Sequence, residues 1–402
     1  MNILFVVPYV PNLVRVRPYH LIRGLHSHGH KITLVCLGTS GDQEALVALQ
    51  PFLHNHYVYS LPAWRALLNC AAAIPSNRPL QSDYCWNGRM ARLVADLAGQ
   101  TQGTSNFDIV HVEHMRGLRY AMEVKKIPSP PPIVWDSVDS ITHLFRQAVR
   151  HHPRFISRFL LRMELNRTQK MEKRASLLFD RVLVTSNLDR QVFMELQPTV
   201  PISVVPNGVD LDYFCPEPNL NREEDTLVIS GKMSYHANVS MVLHLIEDIM
   251  PIVWSKMPKV KLWVVGQNPA AEILKYANDP RITITGSVPD LRPYLQRATL
   301  AVAPLRYGAG IQNKVLEAMA CSTPVVASPM AVSALRIRAG EEILVAGDPE
   351  GYAQNILSLM SNSPWRTRMG VAGREFVQRQ HSWETVVHQL ENIYRSLIHK
   401  TG

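Results

Sequence analysis

The stretch Ala303-Pro304-Leu305-Arg306-Tyr307-Gly308-Ala309-Gly310-Ile311-Gln312-Asn313-Lys314-Val315-Leu316-Glu317-Ala318-Met319-Ala320, continued by Cys321-Ser322-Thr323-Pro324-Val325-Val326-Ala327-Ser328, decides how this chain is read. A short apolar strand, Leu300 to Pro304, runs into a Gly-X-Gly loop. The loop opens a helix carrying Lys314 and Glu317, and a Pro-Val-Val strand follows. A glycine-rich loop feeding a helix start presents unpaired backbone N–H groups beside the positive end of the helix dipole, an arrangement that binds phosphate. Glu317, one turn in, can accept hydrogen bonds from ribose hydroxyls, and Lys314 adds charge for a diphosphate. The stretch reads as a site for a nucleoside diphosphate. A plainer reading stands beside it, an i,i+3 Lys–Glu helix pair worth about 0.2–0.5 kcal/mol.

Outward from this stretch, two βα series emerge. In the first half the apolar runs Ile3–Val7, Ile32–Leu37, Ile109–Val112, Ile133–Asp136 and Val182–Thr185 alternate with helical patterns. The second series runs through Leu227–Ser230, Leu262–Val265, Ile282–Thr285, Leu300–Ala303 and Val325–Ala327. Short unbroken apolar runs spaced by helices predict parallel strands covered on both faces, hence two doubly wound α/β domains. The join is expected where the strand Ile202–Val205 meets Pro206-Asn207-Gly208. Ligands of such sheets sit beyond the carboxyl ends of strands, and two sheets facing across a cleft make the cleft the site.

Composition narrows the function classes. The 402 residues, 46% of them hydrophobic, suit two soluble domains. No apolar run reaches the roughly 20 residues of a spanning helix, and Met1 to Pro8 reads as a buried strand rather than a signal peptide. Five scattered cysteines without Cys-X-X-Cys spacing argue against a zinc site or a disulfide framework and for a reducing cytoplasm. A net charge of +9 implies an anionic partner. No zinc finger or RNA-recognition signature points to nucleic acid.

The chain resembles the retaining glycosyltransferases of the two-Rossmann (GT-B) type, family 4, over nearly its whole length. The resemblance is carried by Lys314-Val315-Leu316-Glu317-Ala318-Met319-Ala320 with Thr323-Pro324-Val325-Val326, and by the interdomain turn Pro206-Asn207-Gly208-Val209-Asp210. Gly24-Leu25 with His30-Lys31-Ile32, Gly231-Lys232-Met233-Ser234-Tyr235-His236-Ala237-Asn238 and His381-Ser382-Trp383-Glu384 add to it. It is similar above all to sugar transferases of bacterial exopolysaccharide and capsule clusters. The resemblance implies residues 1–203, with a last helix at about 381–402 crossing back, as the acceptor domain, and 204–380 as the nucleotide-sugar donor domain. It further implies retention at the anomeric carbon by front-face attack, no enzyme nucleophile, no metal and no cofactor beyond the co-substrate.

Three departures stand out. The family often has a sugar-reading Glu separated by seven residues from its second acid, Glu317; here that position is Ala309, so Gly310, Ile311, Gln312 or Asn313 must supply those contacts. Lys232 holds the first place of the phosphate pair, while Ala237 and Asn238 hold the second. An Asn12–Arg17 loop replaces the usual Gly-Gly turn.

The residues singled out for donor binding are Lys232, Val288 (with Gly286 and Ser287 beside the base), Gly308, Ala309, Gly310, Ile311, Gln312, Asn313, Lys314 and Glu317. Lys232 and Lys314 also count as catalytic, through charge on the leaving diphosphate. Glu113, His114 or Asp136 is the candidate general base. Arg15, Arg17, His111 and Asp139 are assigned to the acceptor, with His111 equally a structural histidine at a strand end. Arg150, Arg154, Arg158 and Arg162 recur every four residues among Phe155, Phe159, Leu160 and Met163, the pattern of an interfacial helix or of an ordinary charged outer face.

The function expected is transfer of a sugar from a nucleotide-diphosphate donor to a hydroxyl of a glycan or polyprenol-linked acceptor, in the cytoplasm or at the inner face of a membrane. A nucleotide-sugar epimerase of the same architecture and a degenerate nucleotide-sugar-binding scaffold are the alternatives.

Overall fold

The computed structural model describes residues 1–402 apart from Val14, Gln102, Gly103, His152, Pro153, Arg154, Asn219, Asn221, Ala309 and Gly402. The chain forms two compact units, Met1–Pro206 with Val386–Gly402, and Asn207–Thr385.

The first unit is built on seven parallel strands: β1 (Asn2–Val7), β2 (Lys31–Gly38), β3 (Asn55–Ser60), β4 (Ile109–Glu113), β5 (Ile133–Val138), β6 (Arg181–Val184) and β7 (Ile202–Val204), in the order β3-β2-β1-β4-β5-β6-β7. Ile3 to Val7 are wholly buried at consecutive positions, which a strand shows only when helices cover both of its faces. Strand order reverses between β1 and β4, so the crevice of this sheet opens beyond their carboxyl ends. Strand β3 is the exception in sequence. Asn55-His56-Tyr57-Val58-Tyr59-Ser60 is an edge strand with only Tyr59 partly covered, and it carries no unbroken apolar run.

The last helix, Trp383–Thr401, lies largely against this unit. A Cβ at Gly24 would stand 2.5 Å from Val387 Cγ2, so the helix Val16–Ser27 crosses it with no room for a side chain. Glu391 on the last helix bonds His28 Nδ1 at 3.0 Å and His30 Nε2 at 2.5 Å.

The arginine repeat does not lie on one helix. Arg150 belongs to the helix Ile141–His151, whereas Arg158 and Arg162 belong to the helix Phe155–Leu178. Arg154 and the Arg150 side chain lie outside the described residues. Pro153, which has no N–H to donate, sits between the two helices in sequence.

The second unit has six parallel strands: β8 (Thr226–Ser230), β9 (Lys261–Val265), β10 (Ile282–Gly286), β11 (Leu300–Ala303), β12 (Val325–Ala327) and β13 (Leu344–Val345), ordered β10-β9-β8-β11-β12-β13. Its reversal falls between β8 and β11. The helical run His236–Lys256 is long and apolar enough to cross a bilayer by length and composition, yet half of its most apolar window is buried in the unit. A π turn at Leu245–Ile249 precedes Pro251, whose missing N–H interrupts the regular ladder.

Two glycines bring the ends of β8 and β9 together. Gly231 has φ +150° and Gly266 φ +152°, and a Cβ on Gly266 would fall 1.7 Å from the Gly231 carbonyl oxygen. Gly266→Ala therefore forces two backbones apart and should cost about 3 kcal/mol or more. Gly286→Ala is the control, since φ is +67° but its Cβ meets open space, and about 1–2 kcal/mol is expected there. Urea unfolding of both variants checks the difference.

Candidate functional site

In the second unit the loops after β8, β9 and β10 enclose a cleft of about 250 Å³ lined by Gly231, Lys232, Gly266, Gln267, Ser287 and Val288. The Lys232 side chain is exposed at its rim, with no partner for its ammonium among the described residues. Val288 packs against the core from the other wall.

Across the switch point, the loop after β11 turns through Gly310 at φ +68° into the helix Asn313–Ala320, whose N-cap Gln312 makes no side-chain cap. Ile311 is buried, so that residue offers its backbone rather than its side chain. Asn313 Oδ1 is buried without a hydrogen-bond partner among the described residues. Gly308 is held by close approach, since a Cβ there would lie 2.9 Å from Leu305 Cδ2. Ala309 lies outside the described residues.

The two sides of the switch point are joined through Asn238. Lys314 Nζ donates to Asn238 Oδ1 at 2.7 Å, and Asn238 Nδ2 donates to the Lys232 carbonyl at 3.0 Å. A side chain that the sequence offered only as a replaced position thus links both lysine-bearing segments. Burial pushes Lys314 down to about 8, against the opposing charge of Glu317. Burial likewise pushes Glu317 up to about 7, which the Lys314 charge partly offsets. Beside them, His236 stacks on Tyr307 with ring centres 5.4 Å apart.

In the first unit, side chains from β1, β4, β5 and the helix Val16–Ser27 converge on a buried polar cluster. Arg17 Nε donates to Asp136 Oδ2 at 2.7 Å, and its Nη1 donates to the Pro206 carbonyl at 3.1 Å. Asp136 Oδ1 accepts from the Val138 N–H at 3.2 Å. His111 is fully buried, stacked on Phe5 at 4.1 Å, with Nδ1 2.7 Å from the Tyr394 hydroxyl. Burial depresses its pKa to about 4, so the ring is neutral at pH 7. With Nδ1 accepting from Tyr394, the Nε2–H faces Asp136 Oδ2 at 3.7 Å.

Glu113 lies beside this pair. Burial, reinforced by the Asp136 charge, pushes its carboxyl up to about 8, and Tyr9 hydrogen-bonds it. Arg15 is exposed and stands over the Tyr9 ring at 4.2 Å.

Two assigned residues stand apart from the cluster. His114, at φ +62°, accepts from the Arg116 N–H at 3.4 Å, and burial lowers its pKa to about 4. Asp139 accepts from Thr185 Oγ1 at 3.2 Å and is pushed up to about 6 by burial and by Asp189. Tyr9, Asn238 and Tyr394 are the members that sequence reasoning did not assign. Tyr394 is separated from His111 by 283 positions, and no local pattern could have paired them.

Two doubly wound sheets, each with polar side chains gathered beyond its switch point, define an α/β protein of the GT-B class. Two family models match: "Glycosyltransferase Family 4" over residues 14–213 and "Glycosyl transferases group 1" over residues 224–362. The chain belongs to the family-4 type of GT-B glycosyltransferases. It is 28% identical to the phosphatidyl-myo-inositol mannosyltransferase of Mycobacterium leprae over 224 residues, covering 54% of this chain and 59% of that protein. With the lipopolysaccharide core biosynthesis glycosyltransferase of Rhizobium meliloti it shares 30% identity over 139 residues, 33% of this chain and 41% of the other. Among solved structures, sucrose-phosphate synthase from Thermosynechococcus elongatus superposes with a TM-score of 0.69 at 16% identity, covering all of both chains. Anabaena HepE in complex with UDP gives 0.68 at 13% identity, over 98% of this chain and all of that one. At these identities the structural likeness speaks to the fold.

Arg17→Leu should cost about 3–5 kcal/mol in urea unfolding, because it strands a buried carboxylate, and adding Asp136→Asn should recover much of the loss. For Glu113 the folded pKa is raised, so the folded state holds the proton longer than the unfolded chain. Its contribution is fully present below the ordinary carboxylate range and is lost as pH rises toward about 8. Glu113→Gln keeps the neutral shape, so its melting temperature should fall less than wild type between about pH 5 and pH 9.

Proposed function

We propose that this chain transfers a glycosyl group from a nucleoside-diphosphate sugar to a hydroxyl of a glycan or polyprenol-linked acceptor. In this reading the anomeric configuration is retained and no metal or further cofactor takes part. The observation that carries it is the Lys314–Asn238–Lys232 linkage across the switch point of the second sheet, with Glu317 one turn along the same helix. In this reading two cations, the amides of the Gly310–Asn313 turn and a helix start receive the diphosphate. Ser287 and Val288 wall the cleft that takes the base, and Glu317 accepts from the ribose.

In the step proposed, the bond from the anomeric carbon to the diphosphate oxygen breaks. Lys232 and Lys314 balance the charge that gathers on the diphosphate, while the acceptor oxygen attacks from the same face. The acceptor proton passes to the departing diphosphate. A base among the side chains is then not required. Glu113, protonated at neutral pH, serves instead as a hydrogen-bonding partner for a sugar hydroxyl, and Arg17 holds Asp136 in place. Arg15 at the rim and His111 beneath belong to the acceptor side.

The likeness to a protein solved with UDP supports a nucleoside-diphosphate donor, and the matched mannosyltransferase of phosphatidyl-myo-inositol supports a lipid-linked acceptor. Five free cysteines support a cytoplasmic setting.

A panel of nucleotide-sugars, read by thermal stabilisation and by slow release of free nucleoside diphosphate, tests the reading. One donor should stabilise the protein and be hydrolysed. Lys314→Ala and Lys232→Ala should each lower turnover about a hundredfold with the melting temperature nearly unchanged, and Asn238→Ala about tenfold. Failure of every nucleotide-sugar to bind at millimolar concentration would remove the proposal. Conversion of donor to an epimer without any acceptor would replace it with an isomerase.

A further inference from the structure

Histidines gather where the helix Val16–Ser27 passes the last helix. His28 follows the first of these helices, His30 precedes β2, and His388 lies on the helix Trp383–Thr401. All three turn a ring nitrogen to one carboxylate. Glu391 Oε2 lies 3.0 Å from His28 Nδ1 and 3.3 Å from His388 Nδ1, while Oε1 holds His30 Nε2 at 2.5 Å. Glu391 is buried, whereas the His388 side chain is 60% exposed. Joining the two helices does not require this convergence. Val387 already fills the space over Gly24, and Tyr394 reaches His111 from the same helix.

An ionised carboxylate only accepts, so the Nδ1 atoms of His28 and His388 carry their protons toward Glu391 Oε2. In each neutral ring the lone pair then sits on Nε2, a nitrogen that binds metal ions. The two rings have centres 4.7 Å apart and planes tilted by 37°. Glu384 adds a third donor from the last helix. It stands four residues before His388 on the same face and brings a carboxylate oxygen within 4.8 Å of a His388 nitrogen. Two imidazoles and a carboxylate suit zinc and its neighbours among the divalent transition ions. A ligating imidazole is typically steered by a carboxylate on its other nitrogen, the place Glu391 takes for both rings. His30 in turn holds the far oxygen of Glu391, and Arg395 stands 3.9 Å from that oxygen. Glu384 and His388 are exposed, which leaves an ion a path in from solvent.

We infer that His28, His388 and Glu384 form a site for a divalent transition ion such as zinc, with Glu391 and His30 orienting the two rings. The bound ion pins the last helix to the end of the helix Val16–Ser27. No thiolate takes part, so the spacing of the cysteines does not bear on it. The inference stands apart from the donor chemistry, because none of these side chains belongs to either polar cluster.

Titration of the full chain with zinc chloride, after stripping with EDTA and dialysis, tests it. Uptake is read by competition with a chromophoric chelator, and stability by the melting temperature. Wild type should take up one zinc per chain with a Kd of about a micromolar or tighter. Its melting temperature should rise by several degrees and fall back when EDTA is added. His388→Ala and Glu384→Gln should each weaken uptake at least about tenfold. Their metal-free melting temperatures should stay near wild type, because both side chains are exposed. No uptake below about 100 μM zinc would overturn the inference and leave a hydrogen-bonded clasp. Uptake unchanged in both variants would also overturn it, by placing the ion elsewhere among the 16 histidines. Donor hydrolysis by the stripped chain should equal that of the loaded one. Strict dependence of hydrolysis on zinc would move the ion into the transfer step and overturn this placement.

Discussion

The polar clusters at the switch points depend on one constraint: a parallel sheet covered on both faces leaves no room for uncompensated polar groups along its strands. Ile3 to Val7 and Leu227 to Ile229 have nowhere to turn a charge, so charged side chains collect toward the strand ends. At the reversals of strand order, between β1 and β4 and between β8 and β11, the helices diverge and open a crevice at those ends. Glu113 is the last residue of β4 and Lys232 follows the end of β8, each at such a reversal.

The first cluster contains two carboxylates and one deeply buried guanidinium, Arg17. Arg17 is committed to Asp136, and Glu113 keeps its proton, since a second unpaired negative charge in that volume would be too costly. His111 completes the arrangement as a neutral spacer between Phe5, Tyr394 and Asp136. In the second unit, Lys314 and Glu317 are both drawn toward neutrality by burial, to about 8 and about 7. Lys314, even so lowered, carries its charge at neutral pH, and an arriving anion would favour that charged form further.

Much of this was legible in the sequence because buried parallel strands advertise themselves as unbroken apolar runs. Ile109–Val112, Leu262–Val265 and Leu300–Ala303 all fall within observed strands. Strand β3 was invisible because an exposed edge needs no apolar face, and β13 because two residues carry no period. The arginine repeat was misread as one helix although Pro153 stood inside it. Of the candidate site, residue types and loop positions could be read, but the contacts between them could not. Nothing in a carboxylate's neighbours along the chain says that Glu113 is sealed from water, and nothing in Asn238 says that it spans two loops. Those properties arise from side chains that meet across the sheet.

The packing of Val386–Gly402 against the first unit has a consequence for synthesis. A nascent chain that has emerged as far as Pro206 holds all seven strands of that unit but not Tyr394 or Glu391. The pocket around His111, and the histidines His28 and His30, must wait for about two hundred further residues to leave the ribosome. The second unit, contiguous from Asn207 to Thr385, emerges whole in the meantime. The half that begins first thus waits for the half made after it, and a ribosome that stops between Thr385 and Glu391 would release a chain whose later-made unit is whole and whose earlier one lacks both Tyr394 and Glu391.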